Sequence, residues 1–333
     1  MSLRLPALLL SIAGACAGGA HAGAPAVVYG AYKHLPMWMD GAHAITAAPD
    51  GMATRYIVDG KRSFGPGALS WAFALGECGE EKWGEVGGAD VAAANVADFE
   101  RAGVGYIIST GGGGGLFTCA TDAGMDRFVA RYDSKRLIGI DFDIEGEQTE
   151  AQIDSMVKRA RHVQRKRPGL RFSFTVATHA ASDGSRASLN KTGEAILKAV
   201  RRNGLRDAVF NLMVMDYGDG ETKNCVVREG VCDMGKSAIQ AARNVHEKYK
   251  IPYAQIELTA MIGVNDVVSN VFTLDDAQVV AEAVKKMKLA GLHYWSLDRD
   301  TPCSAPTVGA SPTCSTLGLK SGEYARVLGR AMP

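Results

Sequence analysis

A chain of 333 residues, 47% hydrophobic and 22% charged, has the balance of an ordinary globular protein and the length to enclose a large core. Its formal charge of +1 and its lack of a basic patch with interleaved aromatics argue against nucleic acid as a partner. Length alone admits one large domain or two average ones.

The first 22 residues read as a secretory signal peptide, leaving residues 23–333 as the mature unit. Arg4 supplies the positive start, Leu5 to Ala15 an apolar run, and Ala20-His21-Ala22 a small-x-small cleavage site before Gly23. The run is too short for a stable membrane anchor. No later stretch is long and apolar enough to cross a bilayer, so no membrane partner is expected. Acylation of Cys16 is the competing reading, weakened by Ala13 three residues before it. Cutting after Ala22 removes Arg4 from the 37 basic residues and none of the 36 acidic ones, so the charges balance. It also leaves Cys78, Cys119, Cys225, Cys232, Cys303 and Cys314. An even set of cysteines in an exported chain points to disulfides, and neighbours in order are the expected pairs. Buried free thiols are the alternative. Zinc is disfavoured because no Cys-x-x-Cys or cluster of His accompanies them.

Eight short runs rich in apolar, β-branched or aromatic residues follow: Val27–Tyr32, Ala68–Ala74, Gly105–Thr110, Leu137–Glu145, Arg171–Thr178, Ala208–Tyr217, Gln255–Ile262 and Gly291–Leu297. Helical patterns fill most gaps: Ala89–Ala102, Ala120–Arg131, Glu150–Arg167, Ser188–Asn203, Gly235–Lys250, Leu274–Ala290 and Glu323–Met332. Pro168-Gly169 stops the third helix, and Thr273 is placed to cap the sixth. Lys33–Gly67 fits the pattern poorly. Eight strands alternating with helices predict an α/β fold, a (β/α)8 TIM barrel in a single domain. A doubly wound open sheet is the alternative, but no Gly-x-Gly-x-x-Gly follows the first strand. Gly111–Gly115 lacks the Lys-Ser/Thr of a phosphate loop and reads as a tight turn.

In the fourth strand, alternation places Asp141, Asp143 and Glu145 on one face and Ile140, Phe142 and Ile144 on the other, toward the helices. Three carboxylates on one buried face are costly and raise one another's affinity for protons. An active site needing a protonated carboxylic acid accounts for that cost. The end of a barrel strand is where such sites are built. A metal site would want further ligands, and His179 is the one nearby histidine, so no metal and no cofactor are expected. The sixth strand adds Asn211, Met213, Met215 and Tyr217 on one face, with Asp216 at its end. Trp295, in the eighth, offers an apolar floor on which a sugar ring can stack.

In these motifs the chain resembles glycoside hydrolase family 18, the chitinases and endo-β-N-acetylglucosaminidases. Ser109-Thr110-Gly111-Gly112 is similar to the family's Ser-x-Gly-Gly, Asp141-Phe142-Asp143-Ile144-Glu145 to its Asp-x-Asp-x-Glu, and Met215-Asp216-Tyr217 to its Met-x-Tyr. Trp295 stands where the family has its strand-eight Trp. Met261-Ile262-Gly263-Val264-Asn265-Asp266 and Trp295-Ser296-Leu297-Asp298-Arg299-Asp300 resemble compact bacterial members. The family's longer motif begins with an Asp where this chain has Ile138, which puts the pH tuning of the site in question.

The resemblance implies a secreted, retaining chitinase that works by substrate assistance, a named exception to the two-carboxylate rule. Glu145 is then the acid and base. Asp143 orients the substrate's N-acetyl group, Asp141 shares a proton with Asp143, and Tyr217 bonds the acetamido carbonyl. Asp216, Met215, Asn211 and Trp295 contact substrate. The partner is chitin or a chito-oligosaccharide, and the chain is expected to act as a monomer. The short gap after the seventh strand leaves no room for an inserted α+β domain, so the groove is expected to be open. The rival readings are an endo-β-N-acetylglucosaminidase acting on N-glycans or peptidoglycan, a non-catalytic chitin-binding lectin and a secreted metal-dependent hydrolase.

Overall fold

The computed structural model describes residues 27–46, 67–146 and 148–331. The expected signal peptide and part of the Lys33–Gly67 segment lie outside the described residues.

Eight strands form a closed barrel: β1 Val28–His34, β2 Ala68–Ala74, β3 Tyr106–Gly111, β4 Leu137–Asp143, β5 Arg171–Ala177, β6 Val209–Met213, β7 Ile256–Met261 and β8 Gly291–Trp295. Each pairs in parallel with its neighbours in chain order, and β8 closes on β1. The helices are α1 Gly88–Ala102, α2 Asp122–Arg131, α3 Glu150–Lys166, α4 Lys191–Asn203, α5 Met234–Tyr249, α6 Leu274–Met287 and α7 Glu323–Leu328. This is the (β/α)8 barrel expected from the alternation of elements. None of these helices is long and apolar enough to cross a membrane.

Local chemistry sets the boundaries. Capping boxes open α3, with Thr149 and Gln152, and α6, with Thr273 and Asp276, each satisfying backbone donors that the first turn leaves free. The fourth helix begins at Lys191 rather than Ser188, because Asn190 caps it by accepting from Gly193 N–H at 2.8 Å. The three residues before it stay in the loop, where Leu189 bridges Thr178. The sixth helix stops at Met287, three residues earlier than its apolar pattern, where Lys288 turns left-handed at φ 57°.

The outward face of the barrel carries the apolar layer that strand alternation predicted. Ile140, Phe142 and Ile144 are buried. The Phe142 ring packs on Phe174 with centroids 5.4 Å apart, and Phe174 continues to Phe210 at 6.2 Å. Around Trp71, the rings of Tyr106 and Phe99 lie within 4.9 Å. Such interlocked aromatics combine large buried area with favourable ring geometry.

All three disulfides pair neighbours in order: Cys78–Cys119, Cys225–Cys232 and Cys303–Cys314. Each lies on loops that follow barrel strands. Between Met261 and Leu274 the chain forms only the hairpin of Gly263–Val264 with Val271–Phe272, with no inserted domain. The loop-closure entropy of the 41-residue separation in Cys78–Cys119 is worth about 4 kcal/mol, against about 2.5 kcal/mol for the short Cys225–Cys232 loop. Replacing both cysteines of the first pair by Ala should therefore lower Tm more than the same change in the second. Calorimetry showing the reverse order would contradict the entropic account.

Candidate active site

The site is assembled where the strands end. β4 stops at Asp143, two residues short of the expected Glu145, and Ile144 N–H makes a last bond to the Thr175 carbonyl at 3.1 Å. Glu145 thus stands on the loop beyond the barrel, where its carboxyl is free of the packed interior. A turn made by β3's end frames it. Gly111 adopts φ 83°, and a Cβ there would come 2.2 Å from the Asp143 carbonyl oxygen, so only glycine fits. At Gly113 a Cβ would lie 3.4 Å from a Glu145 carboxyl oxygen. The glycine run is the tight turn that its composition predicted.

Asp141 lies deepest. Its Oδ2 accepts from Tyr32 Oη at 2.9 Å and Ser109 Oγ at 2.7 Å, and its Oδ1 from Ser173 Oγ at 2.7 Å. Thr175 Oγ1 sits 2.9 and 3.0 Å from the two oxygens. Asn211 extends the network, donating to Tyr32 Oη and Thr175 Oγ1, both at 2.9 Å, and accepting from Thr259 at 2.8 Å. Three strands thereby donate to one carboxylate, and β6 and β7 join the network through Asn211 and Thr259. Among the described residues no hydrogen bond joins Asp141 to Asp143.

A cleft of about 790 Å³ opens above this layer. Asp143, Glu145, Met215, Asp216, Tyr217 and Trp295 line it together. Asn211, expected to touch substrate, does not. It is fully buried, and its amide is occupied within the barrel. Strand parity gave its face but not its height. Ile138 is also absent from the cleft and packs at the start of β4 beside Gly105. Several lining residues went unassigned from sequence: Tyr32 and His34 on β1, Phe73 on β2, Met261 at the end of β7 and Asp266 in the loop after it. Interior parity near a strand end was the available signal for Tyr32 and His34. For Phe73 no parity count serves, because pairing of β2 with β3 shifts register between Trp71 and Ala74. The Phe73 ring stacks on Trp295, with centroids 5.6 Å apart and planes at 17°.

Two polar atoms of the site have no partner among the described residues: Asp143 Oδ1 and Tyr217 Oη, both buried. Buried polar groups are almost always satisfied, so this pair is an exception that a bound molecule can remove. Burial holds the Asp143 carboxyl well above the ordinary range, with the charges of Glu145 and Asp141 adding to the effect. Glu145 is raised as well, by burial first and by Asp216 and Asp266, against the pull of the Gly113 N–H. Its side chain is open to solvent through the cleft, so desolvation acts on it less than on Asp143. Asp216 is also raised, chiefly by burial and by Asp266, while the Val267 N–H and Arg299 oppose that. Burial and neighbouring charge therefore push all three carboxyls toward the protonated form.

One group of metal-type donors among the described residues lies close enough to share an ion, Glu77 with Cys78 and Cys119, and both its sulfurs are in a disulfide. His179 lines the cleft from the loop after β5.

No family model matches the chain. It is 29% identical over 219 residues to a probable bifunctional chitinase/lysozyme of Escherichia coli (strain K12), a match covering 61% of this chain and 24% of that protein. It is 28% identical over 221 residues to endochitinase 11 of Metarhizium anisopliae, covering 61% of this chain and 41% of that protein. The matched region thus spans less than half the length of either relative. Among solved structures, the catalytic domain of a hyperthermophilic chitinase from Pyrococcus furiosus superposes with a TM-score of 0.71 at 24% identity, covering 92% of this chain and 95% of that one. That likeness establishes a shared barrel.

Replacing Asp266 by Asn removes a negative charge near Glu145 and should lower its affinity for a proton. Carboxylate titration followed by NMR should find Glu145 above the ordinary carboxylate range, and lower in Asp266→Asn. A Glu145 that titrates in the ordinary range, or that ignores the substitution, contradicts this electrostatic reading.

Proposed function

We propose that this chain is a chitinase-type glycoside hydrolase, similar to family 18, that acts outside the cytoplasm on β-1,4-linked N-acetylglucosamine chains with retention of configuration. The observation that carries the reading is the pair of unpartnered atoms in the cleft, Asp143 Oδ1 and Tyr217 Oη, beside Glu145. An acetamido group has one N–H donor and one carbonyl acceptor, and this pair offers the complement: a carboxyl oxygen that accepts and a phenol that donates. The sequence similarity to chitinases supports the same substrate class, and three disulfides support an oxidising compartment.

The chemistry follows from these placements. The sugar N-acetyl group, held between Asp143 and Tyr217, turns its carbonyl oxygen toward its own anomeric carbon. Glu145, protonated at rest, gives its proton to the glycosidic oxygen as the C–O bond breaks. The acetamido oxygen bonds to the anomeric carbon, forming a cyclic oxazolinium ion on the substrate itself. Water then enters, Glu145 now takes its proton, and attack on the anomeric carbon reopens the ring. Positioning supplies much of the rate, since a held neighbouring group reacts at a high effective concentration. Asp141, fixed by its hydroxyl donors, lies below the developing cation and holds the polar layer beneath it in place. Trp295, stacked on Phe73, gives an apolar floor for the sugar's face. Asp216 reaches the same end of the cleft, and Met215 lines its wall.

Ile138 leaves no hole in this scheme, because hydroxyls from β1, β3 and β5 already fill the oxygens of Asp141. With only a hairpin between β7 and α6, the cleft has no added wall on that side, which supports cleavage within chains. The name of the Escherichia coli relative makes peptidoglycan the second substrate to try.

Incubation with chitohexaose, with anomers followed by NMR, should show β products at first. Glu145→Gln should cut turnover by about a hundredfold or more while chito-oligosaccharide binding persists. Initial α products, or near-normal turnover in the variant, would overturn the assignment.

A further inference from the structure

The turn that carries Asp216 and Tyr217 is not held by its own strand. β6 ends at Met213, and Asp216 adopts φ 51°, a left-handed conformation that a non-glycine residue keeps only when its surroundings impose it. The imposing groups come from the loop after β7. Asn265 and Asn270 are both fully buried. Asp216 N–H donates to Asn265 Oδ1 at 3.3 Å, and Val267 N–H donates back to Asp216 Oδ1 at 2.8 Å. Tyr217 N–H donates to Asn270 Oδ1 at 2.7 Å, and Asn270 Nδ2 donates to the Gly218 carbonyl at 2.9 Å.

Each asparagine is anchored in turn. Asn265 Nδ2 donates to the carbonyls of Met261 at 2.8 Å and Gly263 at 3.1 Å, and its N–H bonds the Asn270 carbonyl at 2.9 Å. Buried Arg299, from the end of β8, grips the same loop through the carbonyls of Ile262 at 2.7 Å and Val264 at 2.6 Å. The turn is therefore fastened to β7 and β8 rather than to β6. The Tyr217 hydroxyl has no bond of its own among the described residues, so its direction is set by its main chain and by packing alone.

We propose that Asn270, backed by Asn265, is a positioning residue for the reaction: through the main chain of Tyr217 and Gly218 it aims the Tyr217 hydroxyl into the cleft. Neither asparagine lines the cleft. Their contribution passes through the residues they hold, and the inference rests on the function proposed above.

A double-mutant cycle on chito-oligosaccharide hydrolysis tests it. Asn270→Ala should lower kcat by about tenfold or more in the wild-type background, since small misplacements near reacting atoms are expensive. In a Tyr217→Phe background, where the hydroxyl is gone, the same change should lower kcat by less than about threefold. An asparagine that serves only loop stability would cause equal losses in both backgrounds, and that result overturns the proposal, as does an unchanged kcat. If Asn270→Ala fails to fold, Asn270→Asp serves in the same cycle. It keeps the acceptor for Tyr217 N–H but loses the donor to Gly218, so a smaller loss, again confined to the background with Tyr217, is expected. Equal losses there refute it too. A wild-type protein inactive on every chito-oligosaccharide tried marks failure of the functional reading itself, and the positioning claim then falls with it.

Discussion

A single buried carboxylate, Asp141, organises the interior of this barrel. An isolated anion at that depth is prohibitively unfavourable, and the chain answers with hydroxyl donors from β1, β3 and β5. Those donors must sit at matching heights, so the requirement fixes residue types on several strands at once. It explains why Ser109, Ser173, Thr175, Asn211 and Thr259 occupy inward positions where a barrel core is ordinarily filled by bulky aliphatic side chains. Everything above inherits the arrangement. Asp143 feels the charge of Glu145 beside it and of Asp141 beneath it.

Much of this was legible because it is local or periodic. Strand alternation is a two-residue rule, so the facing of Asp141 and Phe142 could be read from β4 alone. Cysteine order and helix caps are similarly short-range. Other features depend on distances that no pattern carries. Asn211 has the parity of a site residue but lies beneath the site, since height along a barrel depends on stagger between strands. The sixth strand's apolar run continues to Tyr217, yet the chain turns at Asp216, because partners fifty residues away favour a left-handed residue there. Asn265 lies in a stretch that carries the resemblance and Asn270 in none, yet neither shows from sequence what it holds. Their meaning arises only when the loop after β7 meets the end of β6.

The same division separates two kinds of residue around the cleft. Glu145, Asp143, Tyr217 and Trp295 line the cleft and lie in the motifs that carry the resemblance. Tyr32 and Ser109 donate to Asp141 below them, Asn270 accepts from the Tyr217 N–H, and Arg299 donates to the Ile262 and Val264 carbonyls of the loop that carries Asn270. Residues of the second kind tolerate little change in shape, because each satisfies several buried groups at once. Substituting one leaves orphaned partners in place.

The three disulfides lie on loops that follow strands, at the pole where the cleft opens. The opposite pole, where helices lead into strands, is held by packing and hydrogen bonds. The molecule is thus anisotropic in its resistance to opening. Fraying that exposes backbone to proteases is cheapest at the unlinked pole, far from Glu145. A barrel built this way can be nicked or partly loosened at its back while its cleft keeps its shape. In a reducing medium that protection would vanish and the cleft's loops would become the first segments to wander.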